Sequence, residues 1–380
     1  MCAAAVNPSE RIVNAQYFIY FGVMGIYLPY FNLYCYRLNF SGSQIGALSA
    51  TRTVTLVVFP LLWGLLADRY ALRRPIYIFC NFSSTLVWSL LLFTADFWTM
   101  LVITAVYGLF YAPLISFLEA VTMEMLGKGR ARYGKIRAWG SMSFILVTLL
   151  MGKVISLYSV RITVALILVG SLLQAIVALR IPAAAGRKRK ADRFSLGRLF
   201  TYRMVIFLVS AFLMLASHGT YYGFFSIHLD NLGYSGTFIG FCWALASAAE
   251  ILVMISSDRL FGYFSLERIL SISFLVAALR WLILFWTPSA GFILFSQLLH
   301  AATYAAFHMA SILYIDVLTP TGAKTTGQAI NNAVSYGLGL MVSFFANGFL
   351  YKSMGLPSLF LMSAAISAVG GILFTFFHDR

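Results

Sequence analysis

Residues 98–123 read WTMLVITAVYGLFYAPLISFLEAVTM, and no charge interrupts them until Glu119. Crossing a hydrocarbon core of about 30 Å takes about 20 apolar residues in a helix. The stretch lacks the period-2 alternation of outer-membrane strands, and a helix satisfies its backbone hydrogen bonds internally, so it reads as a membrane-spanning helix. Similar stretches occupy 12–36, 43–67, 75–94, 135–157, 160–180, 203–229, 235–257, 267–286, 289–316, 325–351 and 355–377. Of the 380 residues 61% are hydrophobic and 10% charged, with a mean hydropathy of +0.86. A soluble domain carries about 25% charged residues. The expected fold class is therefore an all-α integral membrane protein with twelve transmembrane helices and no large soluble domain.

Between the sixth and seventh spans lies RIPAAAGRKRKADRFSLGR, residues 180–198, whose Pro, Gly and clustered basic residues read as a linker. It divides the chain into an N-terminal half (1–180), a basic linker (181–202) and a C-terminal half (203–380). The N-terminus, the even loops and the C-terminus hold 20 of the 27 Lys and Arg residues, and the odd loops hold 4: Arg37, Lys153, Arg161 and Lys352. That imbalance places both termini and the linker in the cytoplasm. It also accounts for the net charge of +15 without nucleic acid, because the basic residues are spread over many short loops. The N-terminal MCAAAVNPSER has no apolar run of signal-peptide length, so the first span is expected to stay.

The halves repeat. SGSQIGALSA from Ser41 opens span two as SGTFIGFCWA from Ser235 opens span eight, and ADRY (67–70) closes the first as SDRL (257–260) closes the second. Matched halves of six helices suit a transporter that rocks about a midplane site. Cys2, Cys35, Cys80 and Cys242 lie far apart with no CxxC or Cys/His spacing, so no metal site or disulfide framework is expected, and no cofactor.

Ionisable groups within spans are costly and mark substrate or proton pathways. Here they are Arg52, Glu119, Arg137, His218, Glu250, Arg280, His300 and His308. Span four carries Gly108, Ala112, Ser116 and Ala120 at intervals of four, a stripe permitting close helix approach, and Pro113 frees a backbone carbonyl. Glu119 stands one turn beyond Ser116, and Arg137 follows a short cytoplasmic loop, so the two lie at comparable depth. They read either as substrate ligands or as a permanent ion pair. In the second half Glu250, Arg280 and His300 form a candidate proton-coupling group, since an acid between burial and a nearby cation can be switched by a moving neighbour. His300 and His308 are eight apart, about 80° around a helix, so one broad face carries both. His308 and His218 read equally as hydrogen-bonded packing residues. Aromatics reach 16%, with Tyr27 in span one and Tyr221 and Tyr222 in span seven as candidate cavity rings. Asn331, Asn332 and Ser335 in span eleven are cavity ligands or helix glue, with 331 and 335 on one face.

GLLADRYALRR, residues 64–74, resembles the loop signature of the major facilitator superfamily, with Ala71 where that family has its second glycine and Leu72 displacing its basic run. RYGKIRAWGS, AAEILVM, AALRW and LHAATYAAFH together resemble the phenylpropionate permease family, whose neighbours are lactose permease and the nucleoside:proton symporters. The resemblance covers nearly the whole chain. It implies a twelve-helix major facilitator fold and proton-driven uptake of a small solute by alternating access. It assigns Glu119 and Arg137 to substrate, Glu250, Arg280 and His300 to the proton, and Gly64, Asp68, Arg69, Arg73 and Arg74 to the gating loop. Lactose permease carries a further carboxylate one turn after the histidine; Thr303 stands there, which leaves Glu250 as the proton carrier and counts against a lactose-like substrate.

The favoured reading is thus a proton:solute symporter of the cytoplasmic (inner) membrane, functional as a monomer, for an aromatic acid or a nucleoside-like molecule. An exporter of the same fold or a non-transporting membrane sensor is the alternative. An enzyme is not expected, because HExxH, GxSxG and paired aspartates at helical spacing are missing from the sequence.

Overall fold

The computed structural model describes residues 8–127, 132–182, 200–320 and 323–378. Among these, every regular element is a helix. Ten helices are long and apolar enough to cross a membrane: α1 (Pro8–Arg37), α2 (Gly42–Tyr70), α3 (Arg73–Leu92), α4 (Phe97–Leu126), α5 (Tyr133–Leu157), α7 (Tyr202–Asn231), α8 (Gly236–Ile255), α9 (Leu266–Trp286), α10 (Ala290–Leu318) and a last stretch, Thr326–Phe377. That last stretch is two helices, because Gly355 breaks it with φ of 73°, a left-handed conformation that suits a residue without Cβ. Its parts are α11 (324–354) and α12 (356–377). The shorter apolar helix α6 (Ile162–Ala178) completes the twelve. Cys2 and residues 183–199 of the expected linker, 181–202, lie outside the described residues.

Short polar signals set the helix starts. Ser41 and Gln44 form a capping box before α2: the Ser41 N–H donates to Gln44 Oε1 at 2.8 Å, and the Gln44 N–H donates to Ser41 Oγ at 3.3 Å. Ser235 receives the Phe238 N–H at 3.3 Å at the start of α8. The repeated SG motif is therefore, physically, a repeated N-cap. Asp96 accepts the N–H and hydroxyl of Thr99 at the start of α4, both at 2.8 Å, and these bonds hold its carboxyl below the usual carboxylate range.

Two prolines create bonds elsewhere. Pro113 cannot donate to the Leu109 carbonyl, and the Trp63 indole N–H takes that oxygen at 2.8 Å. Pro29 likewise frees the Gly25 carbonyl, and the Thr148 hydroxyl donates to it at 2.9 Å. A broken helical bond inside lipid is costly, so each freed oxygen becomes a tie to a neighbouring helix.

The chain divides into two units, Met1–Leu38 with Val54–Lys190, and Asn39–Thr53 with Ala191–Arg380. In the first, α1 packs on α5 and α6, and Gln16 links α1 to both α3 and α6 by accepting from Tyr77 Oη at 2.9 Å and donating to the Gln174 carbonyl at 3.0 Å. Gly108 lies against Thr55, as a small-residue stripe requires. In the second unit, the first turns of α2 group with α11, where a Cβ on Gly348 would come within 2.6 Å of the Gly42 carbonyl oxygen. The apolar core of this unit joins α7, α9, α10, α11 and α12 around Phe207, Phe274, Tyr314 and Phe374.

Candidate functional site

The densest buried polar group of the second unit is built on Arg280 of α9. Its side chain is completely buried. Nε donates to the Ser296 carbonyl at 2.9 Å, Nη2 to Gln297 Oε1 at 3.4 Å and Nη1 to His300 Nδ1 at 2.8 Å. The guanidinium also lies over the rings of Tyr221 and Trp281, 4.2 and 4.5 Å from their centres. Rings and neutral acceptors thus offset the desolvation of a cation that has no direct carboxylate partner among the described residues.

His300 carries the link onward. A guanidinium can only donate, so Nδ1 must accept, and the neutral ring then holds its proton on Nε2. Nε2 faces Glu250 Oε1 at 3.0 Å. The tautomer assigned by this bonding logic makes a one-way chain in which Arg280 donates to His300 and His300 donates to the Glu250 carboxylate. With its two nitrogens so committed, His300 has no lone pair for a further proton, and Glu250 is the group in the chain able to take one. The structure joins the three residues singled out in the sequence, but it pairs Glu250 with His300 directly, and Arg280 reaches the acid only through the imidazole. Thr303 Oγ1 lies 3.4 Å from His218 Nε2 and 3.5 Å from Arg280 Nη1, so it serves the same group as a neutral ligand.

In the first unit Arg137 stacks on Phe21, 3.8 Å from the ring centre, with Tyr17 at 5.9 Å. It is half-buried and, among the described residues, makes no hydrogen bond and no direct ion pair. Glu119 is close enough to interact electrostatically with it, but its direct partner is Tyr133, whose hydroxyl donates to Oε1 at 3.4 Å. Glu119 and Arg137 thus interact at a distance and make no direct ion pair in this structure. The fork of Arg137 is held by rings, and among the described residues no acceptor takes its in-plane donors.

The loop signature also has geometry. Arg73 donates to Asp68 Oδ1 from Nε at 3.1 Å and from Nη2 at 2.7 Å, and it pairs with Glu124 at the end of α4. Arg74 donates to the Leu179 carbonyl at 3.0 Å, and Arg69 lies over its neighbour Tyr70. Around Gly64 there is open space. Ala71, which replaces the family's glycine, adopts φ of 55°. That left-handed conformation explains why a glycine suits the position.

A model described as the MFS_1 like family matches residues 11–362. The chain belongs to this family. It is a multi-pass membrane transporter of the major facilitator superfamily, not an enzyme. Its relatives include the probable 3-phenylpropionic acid transporter of Escherichia coli (strain K12), 27% identical over 378 residues and covering 94% of this chain and 98% of the relative. The maltose permease of Geobacillus stearothermophilus is 24% identical, covering 96% of this chain and 93% of its own. A mutant of the nucleoside transporter NupG has a crystal structure with a TM-score of 0.88 at 16% identity, over 96% of this chain and 98% of that one, a likeness of fold.

Within this major facilitator fold the remaining candidates separate. Tyr221 donates to Gln297 Oε1 at 3.0 Å and belongs to the Arg280 group, while Tyr222 lies 6.3 Å from His300 and 6.0 Å from Tyr304 between ring centres. Tyr27 instead stacks on Phe31 at 4.8 Å and meets Trp88. Asn331 is buried and accepts from Ser335 Oγ at 3.1 Å, the bond their shared face allows, whereas Asn332 is on the exposed side. Sequence reasoning passed over Glu124, Phe21, Tyr133, Ser296 and Gln297. Of these Gln297 carried a signal, being a polar residue within a span one turn before His300; the others are ordinary residues until their neighbours are known.

Proposed function

We propose that this transporter takes up a small aromatic carboxylate together with a proton, by alternating access. Arg137 carries the reading: a half-buried guanidinium, stacked on Phe21 and near Tyr17, whose in-plane donors meet no acceptor among the described residues. A carboxylate fits such a fork bidentately, and the adjoining rings suit an aromatic body. Glu119, turned to Tyr133, leaves room for that anion to compete for Arg137. In the second unit Glu250 takes the proton, with His300 and Arg280 holding it in place. The relative described as a probable 3-phenylpropionic acid transporter supports the substrate class. A nucleoside lacks the carboxylate that Arg137 is built to receive.

The same proposal includes an inner-membrane location, cytoplasmic termini and a functional monomer of two six-helix halves, 1–180 and 203–380, joined by the basic linker. The deciding experiment uses purified protein in proteoliposomes with an imposed pH gradient. Labelled 3-phenylpropionate should accumulate, and a protonophore should abolish the accumulation. Uptake that ignores the gradient would remove the proton from the proposal, and binding of uridine or maltose in preference to 3-phenylpropionate would remove the aromatic acid.

A further inference from the structure

Beyond His300, α10 carries a line of rings that the Arg280 group does not use. His300 stacks on Tyr304 with centres 5.2 Å apart and planes 20° apart; Tyr304 in turn lies 6.2 Å from His308 at 10°. His308 Nδ1 is 2.6 Å from Tyr336 Oη of α11. Three residues at i, i+4 and i+8 do not line up on an ideal helix, because eight steps of 100° overshoot two turns by about 80°. The alignment has a cause: Ala301–Ala306 is a π-helical turn, which closes on i+5, rotates less per residue and removes much of the overshoot. Tyr336 sits in a second π-helical turn, Ala333–Gly339. Two such turns, each costing regular hydrogen bonds, are spent on bringing one histidine and one tyrosine together.

We propose that Tyr336 and His308, ordered by Tyr304, form the branch by which the proton of Glu250 leaves toward the Leu318 end of α10, the cytoplasmic end by the distribution of Lys and Arg. Tyr336 is close enough to both Tyr304 and Glu250 to interact with them electrostatically. The Glu250 carboxyl gives its proton to the Tyr336 hydroxyl oxygen. The hydroxyl passes its own proton to His308 Nδ1, and the imidazolium so formed releases the Nε2 proton on the far side. One proton enters and one leaves, and the tyrosine is unchanged. His300 cannot serve as this exit, since Arg280 occupies its Nδ1.

The inference rests on the proton-symport reading, so the test separates the two. In proteoliposomes, 3-phenylpropionate, uridine and maltose are tried in that order, and the first solute that the unmodified protein transports is used. Solute-dependent alkalinisation of a weakly buffered medium measures coupling. Equilibrium exchange of the solute measures binding and conformational change without proton release. Tyr336→Phe and His308→Gln should each slow net proton-coupled flux about 10-fold or more, with exchange kept within about 2-fold, the size of effect expected for a lost proton-transfer partner. His308→Phe, which keeps the ring without a nitrogen, should match His308→Gln. Net flux that survives in both variants overturns the exit branch while leaving symport intact. Exchange falling together with net flux also overturns it and makes these residues structural or substrate ligands. Transport without alkalinisation in the unmodified protein, or no transport of any of the three solutes, overturns symport and the branch with it.

Discussion

Arg280 Nη1 lies 2.8 Å from His300 Nδ1, and this contact orients the imidazole so that its other nitrogen donates to Glu250 at 3.0 Å. The cation therefore acts on the acid at one remove. It fixes a tautomer, which fixes the hydrogen bond that the carboxylate receives. Protonating Glu250 weakens that bond, because a neutral carboxyl is a poorer acceptor than a carboxylate. In the proposed symport, loading the proton would thus weaken the tie between α8 and α10 that this hydrogen bond makes.

Glu250→Gln keeps the shape and an acceptor oxygen while imitating the protonated acid. Accumulation driven by a pH gradient should vanish, whereas exchange of internal for external solute should persist. Both are read in the same proteoliposomes. Concentration of substrate by the variant would move the proton site away from Glu250.

Arg137→Lys keeps the charge and discards the planar fork and much of the stacking on Phe21. Binding of 3-phenylpropionate should weaken about 10-fold or more, in line with the roughly 1.5–3 kcal/mol of a hydrogen bond to a charged group. The unliganded protein should melt within a few degrees of the parent in a thermal-shift assay. Unchanged affinity in the variant excludes bidentate recognition at this residue.

Ala71 holds a left-handed conformation that costs a residue with Cβ roughly 1–2 kcal/mol. Ala71→Gly relieves that cost, though the freer unfolded chain offsets part of it. A rise in melting temperature with unchanged transport is expected, and a fall in stability would show that the loop gains more from the alanine methyl than it loses to strain.

Orientation is read by labelling intact cells with a membrane-impermeant thiol reagent, in a background freed of native cysteines. Cysteine in place of Arg189 should stay unlabelled, and cysteine in place of Lys352 should label. The reverse pattern would invert the topology inferred from the 20 to 4 distribution of Lys and Arg.

The twelve spans and the rare intramembrane charges were legible in the sequence because each depends on a residue and its near neighbours. Apolar length marks a span, and Glu250 stands out against the Ala-rich run around it. The spacing of Pro113 likewise announced a freed carbonyl, although not that Trp63 would take it. Which side chains meet was decided by the tertiary structure. Helical periodicity specifies a face and says nothing of the neighbour across from it: hence Glu250 on His300 rather than on Arg280, Arg137 on Phe21 rather than on Glu119, and Arg73 on Glu124, a residue with no mark of its own. The two π-helical turns deepen that limit, since each changes the rotation of everything beyond it. His308 and Tyr336 meet because α10 and α11 are each locally unwound, and the unwinding is stable only where packed neighbours satisfy the freed backbone groups.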